Sequence, residues 1–263
     1  MMGTMKVPFV KYSGNGNDFL IIEDNSFVNL ASQNVVRICD RHFGVGADGV
    51  LLLGSATDVD GTMKIFNSDG GEAEMCGNGL RCLATFIDDR AEAKKTSYFI
   101  RTMNNTYEVV KRNGTFAILM SEIKDVNSAD LSSFNEFEKK FFVNTGVPHL
   151  VFLSHDAKAI DIKSTAPKYR HHPVFPRGTN VSFVSLLPDS QSAYVRTYER
   201  GVEDETFSCG TGLTATGLAL SNWFGWKGDI HLFTLGGKQN VNVDKSIYYS
   251  GEVTRCFSGE IDL

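Results

Sequence analysis

The strongest constraint on this chain is that it is written twice. The stretch "MCGNGLRC" (75–82) and the stretch "SCGTGLTA" (208–215) each carry a cysteine, Cys76 or Cys209, at the head of a C-G-x-G-L pattern. Moving along the sequence by about 132 residues makes other landmarks recur. "KYSGNGNDFLII" sets Gly14 and Asn17 before an apolar run, and "VNTGVPHLVFL" sets Gly146 and His149 before another. Asp48 precedes "GVLLL" as Asn180 precedes "VSFV"; Asn67 ends "MKIFN" as Glu199 ends "VRTYE". Several landmarks at a nearly fixed shift argue for a duplicated unit, which must bury its own apolar surface in each copy. The boundaries expected are 1–120, joined by the 251–263 tail, and 121–250, with the polar stretch 121–136 as the linker.

Each copy reads as short strands around one helix. "FVKYS", "DFLII", "GVLLL", "MKIF", "YFIRT", "TYEVV" and "FAILM" are β-branched or aromatic runs bounded by turn residues. Asn113-Gly114 between two of them signals a two-residue hairpin. After Cys76, Leu80, Leu83, Ala84 and Ile87 fall on one helical face; after Cys209, Leu213, Gly217, Leu220 and Phe224 repeat the spacing. Ala215, Leu218 and Ala219 make the second helix apolar nearly all round, so it should be central and buried. The fold class is α+β, as two similar halves.

Composition narrows the function. Of 263 residues 42% are hydrophobic and 22% charged, enough to build a core, and a net charge of −5 without a basic run argues against nucleic acid and anionic membranes as partners. The opening "MMGTMKVPFVKY" has no continuous apolar segment and does not read as a signal peptide. No apolar run approaches ~18 residues, so no membrane span is expected. Five cysteines (39, 76, 82, 209, 256) without a CxxC pair argue against a disulfide framework, a thiol-disulfide enzyme or a zinc site, and for a reducing, cytoplasmic setting. His171-His172 lacks metal-ligand spacing and reads as an exposed loop. "GNGNDF" lacks the last glycine and the helix of a dinucleotide loop.

Cys39, Cys82 and Cys256 read as small buried apolar residues. Cys76 and Cys209 read differently, because each stands in a glycine-rich loop opening a helix. Free amides and the helix dipole favour negative charge there, which should lower a thiol pKa and can hold a carboxylate. Two units about a pseudo-twofold axis would turn the loops towards one cleft. One thiolate could then remove a proton from one face of a carbon while the other thiol protonates the opposite face, with no metal or cofactor. Thiols that close would be open to oxidation, and activity should depend on reductant.

With these residues in place, the sequence resembles the diaminopimelate epimerase family. The likeness runs through "GNGNDF" (14–19), "CDRHFGVGADG" (39–49), "FNSDGGEAEMCGNGLRC" (66–82), "GVPH" (146–149), "FPRGTNVSFV" (175–184), "YERGVEDETFSCGTG" (198–212) and "FSGEI" (257–261). It implies two halves, each a curved mixed sheet around a central helix, and a pyridoxal-independent isomerase that interconverts LL- and meso-diaminopimelate on the way to lysine and peptidoglycan. It implies Cys76 and Cys209 as acid and base, assisted by His149 and Glu199. The amides of Gly77, Asn78, Gly210 and Thr211 would hold the reacting carboxylate. Asn67, Asn180 and Arg200 would hold the distal end, with Glu199 at the distal amine and Asn17 lining the pocket. The implied partner is a small amino acid, and the family often forms homodimers.

The chain departs from the family at two places. Val147 stands where many members have an Asn that helps to recognise the distal end, and Gly49 where some have Gln. These point to altered or broadened recognition of the distal amine. The alternatives left open are a racemase of the proline or hydroxyproline type, disfavoured by Asn67, Asn180 and Arg200, and a non-catalytic amino-acid-binding protein, which would not need the thiols.

Overall fold

The computed structural model describes residues 6–24 and 30–263. Residues 1–5, the start of the N-terminal stretch discussed above, lie outside the described residues. The chain divides into two compact units, Met1–Ile118 with Gly251–Leu263, and Leu119–Ser250.

The first unit contains β1 (Lys6–Gly14), β2 (Asn17–Glu23), α1 (Ser32–Cys39), β3 (Gly49–Gly54), β4 (Gly61–Asn67), β5 (Glu72–Ala73), α2 (Gly77–Arg90), β6 (Ser97–Arg101), β7 (Thr106–Arg112) and β8 (Thr115–Leu119). The second contains β9 (Lys140–Asn144), β10 (Pro148–Leu153), α3 (Ile162–Thr165), α4 (Pro167–Arg170), β11 (Asn180–Leu186), β12 (Ser192–Glu199), β13 (Asp204–Thr206), α5 (Gly210–Phe224), β14 (Asp229–Thr234), β15 (Gly237–Val243) and β16 (Ile247–Gly251). The closing strand β17 (Val253–Asp262) returns to the first unit and pairs antiparallel with β1.

The duplication holds at the level of strand pairing. In the first unit β2–β3 is parallel, β3–β4 and β4–β5 antiparallel, β4–β6 parallel and β6–β7 antiparallel. In the second, β10–β11, β11–β12, β12–β13, β12–β14 and β14–β15 repeat that order and polarity. Each mixed sheet gathers round one helix. α2 packs on β1, β2, β3, β4, β6, β7 and β17, and α5 on β9, β10, β11, β12, β14 and β15. The apolar stripes explain this. Leu80, Leu83 and Ala84 are buried under α2, while Leu213, Ala215, Gly217, Ala219 and Leu220 leave α5 buried on nearly every side. Phe224, at the last turn of α5, departs from the stripe and is partly exposed.

Asn113 and Gly114 both have positive φ and close the β7–β8 hairpin, as the Asn-Gly pair requires. The stretch 121–136 carries no helix or strand but is not a free linker: Phe134 is buried in a cluster with Phe152, Tyr169 and Phe175 of the second unit. Cys39 and Cys82 are buried as expected, and Cys256 is not. The β1–β17 register passes from Lys11–Phe257 to Tyr12–Arg255, so Cys256 is the extra residue of a β-bulge and projects into solvent. Among the described residues no helix is long and apolar enough to cross a membrane.

Candidate active site

The two cysteines occupy the same structural position. Cys76 is the residue before α2 and Cys209 the residue before α5, each with extended backbone angles. An N-terminal residue with an extended backbone turns the chain into the helix and leaves the first amides without intrahelical partners. Gly77 and Asn78 in one unit, and Gly210 and Thr211 in the other, supply those amides. Their direction and the helix dipole suit a carboxylate.

Around Cys76 the side chains form a fixed row. The Cys76 sulfur accepts from the Gly79 amide at 3.5 Å and donates towards Asn17 Oδ1 at 3.7 Å. Asn78 Nδ2 also donates to Asn17 Oδ1, at 3.3 Å, while Asn17 Nδ2 donates to Asp48 Oδ2 at 2.9 Å. Asn78 Oδ1 accepts from the guanidinium of Arg81 at 2.7 Å. Arg81 is fully buried in α2 and also donates to Asn15 Oδ1 at 3.1 Å. Asn67 lies apart from this row. It ends β4 opposite Gly49, its backbone closes the turn to Gly71, and its side chain is exposed.

Around Cys209 the partners are hydroxyls and titratable groups. Thr211 Oγ1 lies 3.5 Å from the Cys209 sulfur and 3.0 Å from His149 Nε2. A Cβ built on Gly212 would stand 3.2 Å from His149 Cε1, 3.3 Å from the Cys209 sulfur and 3.3 Å from Thr197 Oγ1. That close approach is why the third residue after the thiol's loop entry is glycine in this unit. Glu199 accepts from Thr206 Oγ1 at 2.9 Å. Burial pushes the Cys209 thiol up, and the Glu199 carboxylate beside it pushes the same way. Against the lowering expected at a helix N-terminus, the Cys209 thiol is raised, because burial outweighs the Thr211 hydroxyl and Gly212 amide bonds that favour the thiolate. Burial also raises Glu199. Burial, helped by the charge of Arg200, lowers His149 to about 3 and keeps it neutral.

Asn180 and Arg200 adjoin the same cluster. The Asn180 side chain is buried with both ends engaged: Nδ2 donates to the Pro148 carbonyl at 2.9 Å and Oδ1 accepts from the Arg200 amide at 2.7 Å. In this arrangement Asn180 ties β10 to the end of β12. The Arg200 guanidinium donates to the Arg177 carbonyl at 3.1 Å.

Three further features were not legible as site residues. Asp48, Arg41 and Arg81 anchor the Cys76 row. Arg81 carried one signal, a cation immediately after Leu80 within a buried apolar stripe. Thr145 Oγ1 donates to the Thr211 carbonyl at 2.9 Å. Beneath the Cys209 loop, the hydroxyls of Ser208 and Tyr249 both donate to the buried Gln239 carbonyl. A Cβ on Gly210 would stand 2.8 Å from Tyr249 Cε1, so the ring floors the loop.

The profile of the family described as diaminopimelate epimerase matches residues 9–128 and 141–256. A diaminopimelate epimerase of Methanocella arvoryzae is 37% identical, with 98% of each chain covered. One of Archaeoglobus fulgidus is 35% identical over 98% of each. One of Microcystis aeruginosa is 41% identical, covering 82% of this chain and 83% of the relative. Among solved structures, a phenazine biosynthesis protein of the PhzF family from Bacillus anthracis superposes with a TM-score of 0.73 at 14% identity, covering 98% of this chain and 99% of that one. A hydroxyproline epimerase from Agrobacterium vitis superposes with a TM-score of 0.62 at 13% identity, covering 98% and 93%. These two likenesses establish a shared fold. The sequence matches run through both cysteine-headed helices and nearly the whole chain, and on them the protein belongs to the diaminopimelate epimerase family.

Proposed function

We propose that this protein is an isomerase that interconverts LL- and meso-diaminopimelate by moving the α-proton between two cysteines, Cys76 and Cys209. The observation that supports it most is the paired placement of the thiols. Each stands before the helix of one copy of a duplicated unit, with two helix-opening amides beside it. The amides of Gly77, Asn78, Gly210 and Thr211 would hold the substrate carboxylate and stabilise the charge that builds there during proton transfer.

The raised thiol of Cys209 suits the chemistry. An α-proton is a weak acid, and a thiolate of high basicity is a stronger acceptor for it. The α-ammonium of a bound amino acid would bring a positive charge beside Cys209 and Glu199, favouring the thiolate only when substrate is present. His149, neutral and bonded to Thr211, and Glu199 would assist that transfer. Asn67, Arg200 and Asn180 would serve the distal end, Asn180 by holding the Arg200 backbone. We place the enzyme in the cytoplasm, as its free thiols favour a reducing setting, and we propose the family's homodimer as its assembly.

Proton NMR of the reduced protein with LL-diaminopimelate in D₂O, followed by chiral analysis, tests this reading. Deuterium entering one α-position together with meso product is the expected result. Absence of exchange in folded, reduced protein would overturn it. Val147 and Gly49 favour one second reading, a broadened specificity at the distal end, which substrates lacking the distal amine would reveal.

A further inference from the structure

We propose that Asp48 and Arg81 are positioning residues that fix the polarity of the Asn17 amide, so that its carbonyl oxygen, and not its NH₂, faces the Cys76 sulfur. The inference rests on the reading of Cys76 as an acid/base thiol and adds which form of that thiol the free site favours.

An amide side chain can be turned either way, and its neighbours decide which. Here both ends of the row are unambiguous. A guanidinium can only donate, so Arg81 obliges Asn78 to present Oδ1 to it, at 2.7 Å. The Nδ2 of Asn78 is then turned to Asn17, which must accept with Oδ1, at 3.3 Å. From the other end a carboxylate can only accept, so Asp48 obliges Asn17 to present Nδ2, at 2.9 Å. The two constraints agree, and Asn17 Oδ1 is left beside the Cys76 sulfur at 3.7 Å.

The anchors are themselves held. Asp48 accepts from Arg41 at 2.8 Å, and Arg41 grips Asp18 through two further bonds of 2.8 and 3.0 Å. Lys11 reaches Asp18 at 2.8 Å from β1. Arg81 is sealed inside the unit and also bonded to Asn15. Among the described residues, the charged and titratable groups around the row include Lys11 on β1, Asp18 on β2, Arg41 and Asp48 in the segment between α1 and β3, Arg81 and Cys82 on α2, and Cys256 on β17. Asp48 reaches Asn17 directly and Arg81 reaches it through Asn78, so both act through Asn17. A carbonyl oxygen beside the sulfur accepts the S–H and favours the thiol, whereas an NH₂ group there would favour the thiolate. The row therefore weights Cys76 towards the thiol, against the pull of the Gly79 amide that donates to the same sulfur at 3.5 Å.

The test reads the thiol and not turnover. In a Cys209→Ser, Cys256→Ser chain, Cys76 is the accessible cysteine, since Cys39 and Cys82 are buried. Its alkylation by iodoacetamide is followed by mass spectrometry across pH. Asp48→Asn removes a negative charge as well as the polarity constraint, so it is measured in two backgrounds, with Asn17 present and with Asn17→Ala. Charge alone gives the same shift in both. The proposal expects the midpoint to fall further when Asn17 is present, by about one pH unit, which is the scale of one lost acceptor bond and one gained donor bond. Equal shifts in the two backgrounds would overturn it. Asp48→Ala serves the same cycle should Asp48→Asn not fold. A matching cycle with Arg81→Met is expected to give a smaller coupling of the same sign, and a zero coupling there would remove Arg81 from the row. Loss of isotope exchange with the cycles intact would count against the epimerase reading alone.

Discussion

The two cysteines head equivalent helices, α2 and α5, in equivalent sheets, yet their surroundings are chemically opposite. Beside Cys76 the row of Asn17, Asn78, Asp48 and Arg81 ends in a pure acceptor and a pure donor, and nothing between them can exchange roles. Beside Cys209 stand Thr211, His149 and Glu199, each of which can donate or accept as its hydrogen moves. Duplication thus kept the backbone that presents a thiol and let the side chains diverge into one fixed half and one adaptable half. For a two-base epimerase this division is useful. One thiol can be set in the free enzyme, while the other is left to respond to the substrate's charge.

The largest expected effect removes either half. Cys76→Ala and Cys209→Ala should each lower epimerisation by at least about 10³-fold, because neither remaining thiol can both take and return the proton on opposite faces. Steady-state assays under reductant with each variant check this. Turnover by Cys76→Ala near the level of the unaltered protein would end the two-base account and with it the contrast between the halves.

Glycines give the next largest effect, and an unequal one. A methyl at Gly212 would press on His149, Cys209 and Thr197 at 3.2–3.3 Å, all buried groups with little room to move. A methyl at Gly79 would meet Leu51 Cδ2 at 3.2 Å and Cys76 Cβ at 3.5 Å, an apolar contact that a small rotation relieves. Gly212→Ala should lower kcat/KM by about 10²-fold, as displacements near 1 Å at a reacting group do, and Gly79→Ala by about tenfold or less. Equal losses would mean that both helix openings are equally rigid and would blur the comparison.

The adaptable half should also carry a pH signature that the fixed half lacks. His149 has an ordinary pKa of 6.5 and is lowered to about 3 by burial in the fold. Between those values the unfolded chain binds a proton that the folded chain refuses, so folding stability falls as pH drops from 6.5 towards 3. The unaltered protein should lose about 2 kcal/mol more than His149→Gln between pH 7 and pH 5 in urea unfolding. Asn17, which meets the corresponding residue of α2, does not titrate and has no such term. Parallel losses in protein and variant would show that His149 is protonated in the fold.

Much of this was legible in the sequence because it follows from local patterning. The strands, the Asn113-Gly114 hairpin and the two helices came from periodicity and turn chemistry, and the duplication came from the spacing of landmarks. What was lost were matters of register and burial. A shift of 132 sets Asp48 against Asn180, but the sheets do not keep it there. Gly49 pairs with Asn67 in the first unit, and extending the Val181–Tyr198 register brings Asn180 opposite Glu199 in the second, so Gly49 is the true counterpart of Asn180. One residue's slip exchanges the two faces of a strand, and a single sequence does not reveal it. The outward turn of Cys256 depends on a bulge between distant strands, and the elevation of Cys209 depends on how completely the fold buries it. The row from Arg81 to Asp48 joins three segments, α2, β2 and the stretch before β3, through amide orientations, which no linear spacing encodes.

The smallest effect expected concerns recognition, and it lies wholly in the adaptable half. Val147 sits just before β10, half-buried, with its carbonyl taken by the Thr145 amide at 3.1 Å. Its side chain has nothing to offer a polar ligand. At the corresponding turn of the first unit, Asn15 engages Arg81 instead. If distal-amine recognition has been relaxed at Val147, then Val147→Asn should restore one hydrogen bond, worth about 0.5–1.5 kcal/mol, or roughly two- to tenfold in selectivity. The quantity to measure is the ratio of kcat/KM for diaminopimelate over that for 2-aminopimelate, which lacks the distal amine. The ratio should rise in the variant while the rate of α-proton exchange with diaminopimelate changes little, because the thiols and their partners are untouched. An unchanged ratio would mean that the distal amine is read by Glu199 and its neighbours alone. The adaptable half would then owe its selectivity to charge, with no contribution from the polarity of the turn before β10.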